Sequence, residues 1–249
     1  MEKNGYFDYI FIGAGASATL LLRSLESRGL LTNKKVAVID ADEKTTNDKT
    51  YCFWTSTDDS ISHNCQHLFS RTWSKISVNR QEPETLEHSQ YVALYNECRR
   101  IINEFRLSRI YSSVLGIVKT DVGVEVQTVD GNFSAKMVFD SRPPRFAKPE
   151  KNEALLWQTF IGHIISPKEA YSEMDCVDLM DFDIPQQGFT QFMYVLPLSN
   201  NRILVEMTRF GTEPITSMEA EPILADYILQ RFGAYERMET ETGTIPMST

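Results

Sequence analysis

The segment YFDYIFIGAGASATLLLRSLESRG, Tyr6 to Gly29, limits the fold more than any other part of the chain. Tyr9 to Ile12 is nearly continuous in apolar character, the pattern of a central strand in a parallel sheet. Leu20, Leu21, Leu25 and Arg28 follow at helical spacing, and KVAVIDAD, Lys35 to Asp42, supplies a second strand. Strand, glycine turn, helix and strand make a βαβ unit that opens the chain.

Inside the turn, Gly13, Gly15 and Ala18 form a GxGxxA pattern. Gly13 permits the tight turn, Gly15 lets a pyrophosphate approach the backbone, and the small Ala18 lets helix and strand pack closely. The helix N-terminus adds partial positive charge for phosphates. Asp40 closes the second strand 22 residues beyond Ala18, a spacing suited to a carboxylate that accepts adenosine ribose hydroxyls. An FAD or NAD site follows, and a carboxylate at this position argues against the 2′-phosphate of NADP in it.

Downstream, a polar stretch from Glu43 to Lys49 leads into TYCFW, Thr50 to Trp54. Periodicity is weak over residues 55–90, which predicts loops, short helices and a strand near Lys75 to Val78. Tyr91, Leu94, Tyr95, Cys98, Ile101, Ile102 and Phe105 make the apolar stripe of a helix from Tyr91 to Phe105. Ile110 to Val118, Val122 to Val129 and Phe133 to Phe139 read as an antiparallel meander joined by TDVG and DG turns. A loop opens at DSRPPRF, and residues 154–210 are rich in strands, ending in a hairpin of Gln191–Pro197 and Arg202–Phe210 around LSNN. Thr216 and Glu219 form the signature of a capping box for a helix to Phe232. No repeat or linker separates domains, so a second domain is expected to interleave with the first. The expected division is 1–80 as the first part of the FAD-binding domain with its βαβ unit, 81–140 as the completion of the nucleotide domain, and 141–249 as mainly a substrate-binding sheet with a return to the FAD domain, truncated at its end.

The chain has 249 residues and a net charge of −9, which excludes a general nucleic-acid binder and offers no basic patch for an anionic membrane. Contact with a membrane through apolar loops stays open. Cys52, Cys65, Cys98 and Cys176 have no short paired spacing, which fits a reducing cytoplasm, and no run of 18 apolar residues spans a bilayer. HNCQH, His63 to His67, lacks further ligands and reads as a solvated loop, so no metal is expected; His88 and His163 have no neighbouring nucleophile motif. No protein partner is identifiable. Tyr51, Phe53 and Trp54, and FMYVLPL from Phe192 to Leu198, are either core packing or the lining of a cavity for an extended apolar ligand.

One acid stands out. In ILVEMTRF, Ile203 to Phe210, alternation places Leu204, Glu206, Thr208 and Phe210 on one face and Ile203, Val205, Met207 and Arg209 on the other. Neither face is cleanly polar, so Glu206 must be paired, hydrated or protonated. Arg209 has the wrong parity for a partner, and Arg202 lies four residues away along an extended strand.

Taken in order, DYIFIGAGASA, NDKTYCFW, VFDSRPP, WQTFIGHII, MDFDIPQQGFTQFMYVLPLSNNRILVEMTRF and GTIPM resemble the lycopene cyclase family, enzymes that close β-ionone rings on carotenoids. The resemblance implies a Rossmann-like FAD/NAD(P)-binding three-layer α/β fold with an interleaved antiparallel substrate-binding sheet. It implies FAD in reduced form, NAD(P)H as reductant, lycopene or a related linear carotenoid as substrate, and a cytoplasmic protein peripheral to the membrane. The reaction would be a redox-neutral isomerisation started by a proton from Glu206, with Tyr51, Phe53, Phe192 and Tyr194 lining the substrate site. An acid that stays protonated near neutral pH needs its pKa raised two or three units, at about 1.4 kcal/mol each. An FAD-dependent oxidoreductase acting on an isoprenoid or aromatic substrate, and a nucleotide-binding fragment without turnover, are the alternatives.

The chain departs from the family in three places. Met207 stands where relatives carry a second acid beside the first, SRPP follows Asp140 in place of a glycine-bearing turn, and the expected glycine-rich and helical C-terminal portion does not follow GTIPM.

Overall fold

The computed structural model describes residues 5–46, 50–55, 63, 65–79, 86–143 and 153–248. In chain order the elements are β1 (Tyr6–Ile12), α1 (Ala16–Ser27), β2 (Val36–Ile39), β3 (Thr50–Trp54), a 3-10 turn (Gln66–Leu68), β4 (Arg71–Trp73), β5 (Lys75–Val78), β6 (Leu86–Gln90), α2 (Tyr91–Glu104), β7 (Ser108–Ile110), β8 (Val114–Thr120), β9 (Gly123–Thr128), β10 (Gly131–Asp140), β11 (Leu155–Pro167), β12 (Cys176–Asp181), β13 (Thr190–Ser199), β14 (Arg202–Gly211), α3 (Ser217–Phe232) and β15 (Tyr235–Ser248). They divide into two compact units, 1–50 with 90–145 and 51–89 with 146–249.

The first unit holds a mixed sheet in the order β7-β2-β1-β10-β9-β8. β1 pairs in parallel with β2 on one side and with β10 on the other. Both of its faces are covered, as its apolar run predicts. Phe11, Val36 and Val38 pack with Ala18 and Leu22 of α1 and Cys98, Ile101 and Ile102 of α2, while Ile10, Ile12, Ala37 and Ile39 pack with Val126 and Ala135. The meander β8-β9-β10 forms as expected, but its last strand has a second partner. β10 is antiparallel to β9 over Gly131–Ala135 and parallel to β1 over Ser134–Asp140. A strand has two hydrogen-bonding edges, and the local turns specify only one of them.

In the second unit the sheet order is β15-β11-β14-β13-β12-β5, with a separate small sheet β3-β6-β4. One face of the large sheet, including Ile161, Met193, Val205 and Met207, packs against Ala220, Leu224, Ile228 and Phe232 of α3. Burying each of the large side chains contributes about 1.5–3 kcal/mol before entropy is counted. On the other face Ile164, Leu196 and Leu204 pack with Trp73, Ile76 and Val177, and the Trp73 indole donates to the Pro197 carbonyl at 2.9 Å. The start of α3 has the expected capping box between Thr216 and Glu219.

The expected boundary at residue 80 is corrected. Residues 51–89 belong to the second unit, because β5 pairs in parallel with β12, and β3, β4 and β6 share one sheet. The side chains of Trp54, His88, Tyr91, Leu94 and Tyr95, and the loop beyond Pro143, lie outside the described residues. Among the described residues no helix is long and apolar enough to cross a membrane.

Candidate functional site

The glycine turn lies between β1 and α1 in the first unit. Gly13 has φ of +94°, in the left-handed region, and a Cβ there would stand 2.2 Å from the Ser141 hydroxyl, so only glycine fits. The Gly13 amide donates to the Ile39 carbonyl at 2.8 Å, and the Ser141 hydroxyl donates to Ile12 at 2.7 Å. Gly15 caps α1 in an extended conformation, with no side-chain cap and no acid in the first turn. A Cβ built on Gly15 meets nothing within 4 Å. Open space, a helix N-terminus and backbone donors without a competing carboxylate suit a phosphate. Ala18 is buried against the strand layer with Phe11 and Val38.

Asp40 completes this site. Its two oxygens accept the Ala14 amide at 2.8 Å and the Asp42 amide at 2.9 Å, so the carboxylate is tied to the glycine turn itself. Each carboxylate oxygen has a second lone-pair direction, which leaves capacity for sugar hydroxyls. Gly13, Gly15, Ala18 and Asp40 are thus brought together, and they fit the pyrophosphate and ribose of a dinucleotide. Beside them Asp140 and Arg142 form a bidentate ion pair, with contacts of 2.8 and 2.9 Å, that holds the carboxyl below its usual range.

The second constellation is on the large sheet of the second unit. Glu206 is 9% exposed. In register beside it stand Tyr194 on β13 and Gly162 on β11, and beyond Gly162 stands Glu241 on β15. The Thr208 hydroxyl donates to Glu206 at 3.3 Å. Burial first, and then the Glu206 carboxylate, push the Tyr194 phenol up to about 12. Burial, followed by Glu206 and Glu241, pushes the Cys52 thiol well above its ordinary value. Arg202 pairs with Glu239, and Arg209, on the opposite face, pairs with Gln191 at 2.6 Å and Glu219 at 3.2 Å.

Aromatic rings extend the same face. Phe192 meets Tyr194 edge to face at 5.2 Å, with Phe182 at 5.4 Å and Phe210 at 6.1 Å. Phe160 lies over Gly243, where a Cβ would come within 2.2 Å of the ring. Of the four expected substrate residues, Phe192 and Tyr194 share the Glu206 face. Tyr51 and Phe53 lie on β3, in the small sheet of the same unit. They contact one another at 6.1 Å and Phe53 meets Phe69 at 5.5 Å, whereas Cys52, between them on β3, turns toward Tyr194 and Leu204.

Cys52, Gly162 and Glu241 were not singled out from the sequence. An isolated glycine in the strand pattern WQTFIGHII was a signal for Gly162. Glu241 carried none, since METET has the look of an exposed edge strand. A separate cleft of about 830 Å³ lies on the helix-covered side of the sheet, lined by Lys75, Tyr171, Glu173, Asp178, Tyr227 and Arg231. There Arg231 donates to Tyr227 at 2.7 Å and Tyr171 at 2.9 Å and pairs with Asp178, which makes the cluster a self-satisfied ion-pair network.

The fold and these sites define a mixed α/β protein with two large sheets flanked by helices, structurally close to FAD-binding oxidoreductases. A geranylgeranyl bacteriochlorophyll reductase-like protein from Thermoplasma acidophilum superposes with a TM-score of 0.70 at 12% identity, over 97% of this chain and 66% of that one. The flavin-dependent brominase Bmp2 matches with a TM-score of 0.65 at 10% identity, over 98% and 68%. A variant of the halogenase PltM in complex with FAD gives 0.62 at 12% identity, over 95% and 60%. The chain therefore spans about two thirds or less of the length of these structures. Comparison with curated protein sequences finds no match. The family model described as "Lycopene cyclase protein" matches residues 8–249. The chain belongs to the lycopene cyclase family.

Proposed function

We propose that this chain carries the dinucleotide-binding and acid-bearing parts of a carotenoid cyclase, a cytoplasmic protein peripheral to the membrane that closes β-ionone rings on lycopene or a related linear carotenoid. The observation that carries this reading is Glu206. It is buried on an aromatic sheet face, beside Tyr194 and on the same face as Phe192, within the family-matched span. Glu206, held protonated, gives its proton to the terminal alkene. The neighbouring double bond attacks the resulting cation, and loss of a ring proton regenerates the acid, so no electron or water enters the balance. The faces of Phe192 and Tyr194 present negative quadrupoles that stabilise positive charge while excluding water.

Gly13, Gly15, Ala18 and Asp40 of the Rossmann-like first unit would hold FAD by its pyrophosphate and ribose. Bound in reduced form, FAD would supply negative charge of the kind that favours a cationic transition state, with NAD(P)H as the expected source of its electrons. Tyr51 and Phe53 on the small sheet, which contact one another while Phe53 also meets Phe69, are proposed to line a further part of the substrate path.

A second reading, an FAD-dependent oxidoreductase acting on an isoprenoid or aromatic substrate, is supported by the fold. The similar solved structures include a reductase-like protein, a brominase and a halogenase. The deciding experiment supplies lycopene in liposomes with FAD and NAD(P)H to the wild type and to Glu206→Gln. Cyclic carotenoid from the wild type, with product lowered at least a hundredfold in the variant, supports Glu206 as the proton donor. Equal product from both removes that assignment, and NAD(P)H consumed one for one with substrate favours the oxidoreductase.

A further inference from the structure

The missing second acid leaves a chemical gap that the tertiary structure fills from another strand. Glu206, Gly162 and Glu241 stand in register on the adjacent strands β14, β11 and β15, and directly paired residues of neighbouring strands face the same way. Two strand spacings separate the backbones of β14 and β15 by about 10 Å. Between them lies a residue without a side chain. A Cβ on Gly162 would fall 3.1 Å from Cβ of Glu206 and 3.2 Å from its Cγ, with Leu204 Cδ1 also at 3.1 Å, so the stems of Glu206 and Leu204 lie over the glycine on the face that Glu241 shares. The Cys52 thiol on β3 is within the electrostatic reach of both carboxylates. Met207, the position of the second acid in relatives, is fully buried on the opposite face against α3.

We infer that Glu241 is a positioning residue for Glu206: across Gly162 the two carboxyls form a pair that shares one proton, and Glu241 supplies the second acid that Met207 does not. This rests on the reading of Glu206 as proton donor. Glu206 is buried and Glu241 half-buried, and two carboxylates held close together do not both ionise readily, so one stays protonated at a pH where an isolated glutamate has lost its proton. The groups facing the pair include Tyr194 from β13, Thr208 on β14, Cys52 from β3, and the Arg202–Glu239 ion pair two residues along β15. His163 and Arg209 lie on the far face with Glu221 and Glu219. The Glu206 O–H and the terminal π bond break as a C–H bond forms, a second π bond is used to form the ring C–C bond, and loss of a ring C–H proton to the pair forms the ring C=C, so the product is an isomer of the substrate.

The test is a pH titration by NMR of the whole chain, labelled with ¹³C at the glutamate side-chain carboxyls. The resonance absent from Glu206→Gln identifies Glu206. In Glu241→Gln its midpoint falls by about one pH unit or more, a tenfold change in acid constant, and it falls further in Glu241→Lys. Glu236→Gln, at an exposed position of the same strand, leaves it in place. A Glu206 midpoint that is unchanged in both position-241 variants, with the native circular dichroism retained, overturns the pairing while leaving the donor assignment intact. Undiminished ring closure by Glu206→Gln overturns the donor assignment whatever the titration shows, so the two failures are distinct.

Discussion

Glu206 shows how much a single residue's position can carry. Strand parity alone places it on the face opposite Met207 and Arg209, and the structure keeps that parity: Met207 packs under α3, Arg209 pairs with Glu219, and Glu206 turns to the aromatic face. What parity does not contain is the neighbour on the next strand, and Tyr194 is that neighbour. Its phenol titrates at about 12, against about 10 in an unfolded chain. Between those values the unfolded chain has released a proton that the folded chain keeps, so stability is fully present below about pH 10 and is lost as pH rises through about 12. Urea midpoints measured from about pH 9 to 12 are expected to fall, and Tyr194→Phe to lower that slope by up to about one proton. Identical slopes in the two proteins would show that Tyr194 does not hold its proton.

At the scale of elements, local signals and structure agree where a signal is chemical and short-range. The capping box is one case. Glu219 accepts from both the amide and the hydroxyl of Thr216, at 3.0 and 2.7 Å, and the same carboxylate reaches Arg209 on β14, tying the helix to the strand it covers. Thr216→Ala is expected to cost about 1 kcal/mol in urea unfolding, the usual loss for such a cap; a change below about 0.3 kcal/mol would mean that α3 is held by packing alone. The hairpin of β13 and β14 was equally legible, because LSNN is a turn between two apolar runs. The parallel pairing of β10 with β1 was not. It joins residues 6–12 to residues 134–140, and no local pattern encodes which distant edge a strand will meet.

For the molecule as a whole, the two units interleave in sequence: the chain leaves the first near residue 50, returns to it near residue 90, and leaves it again near residue 145. Nothing in TYCFW marks the first crossing, since an aromatic strand reads alike in either sheet. FAD at about 100 times its dissociation constant is expected to stabilise the wild-type chain by about 2.7 kcal/mol if it binds only the folded form. Gly15→Val should abolish that gain, because its side chain enters the open space at the start of α1, and should change the stability of the FAD-free protein by less than about 1 kcal/mol. Equal stabilisation of both proteins, followed by thermal unfolding with and without FAD, would move the dinucleotide site away from this turn.

The sequence by itself determined the βαβ opening, the glycine turn with its acid, the hairpin, the capped helix and the face on which Glu206 lies. Each depends on periodicity, on a backbone conformation only glycine takes, or on hydrogen bonds between residues a few positions apart. Only the tertiary structure decided that residues 51–89 join the second unit, that the Cys52 thiol comes within electrostatic reach of Glu206, and that Glu241 stands across Gly162 from it. Those outcomes rest on strand register and on which sheet edges meet. Both are set by packing between residues far apart in the chain, at distances over which sequence spacing carries no information.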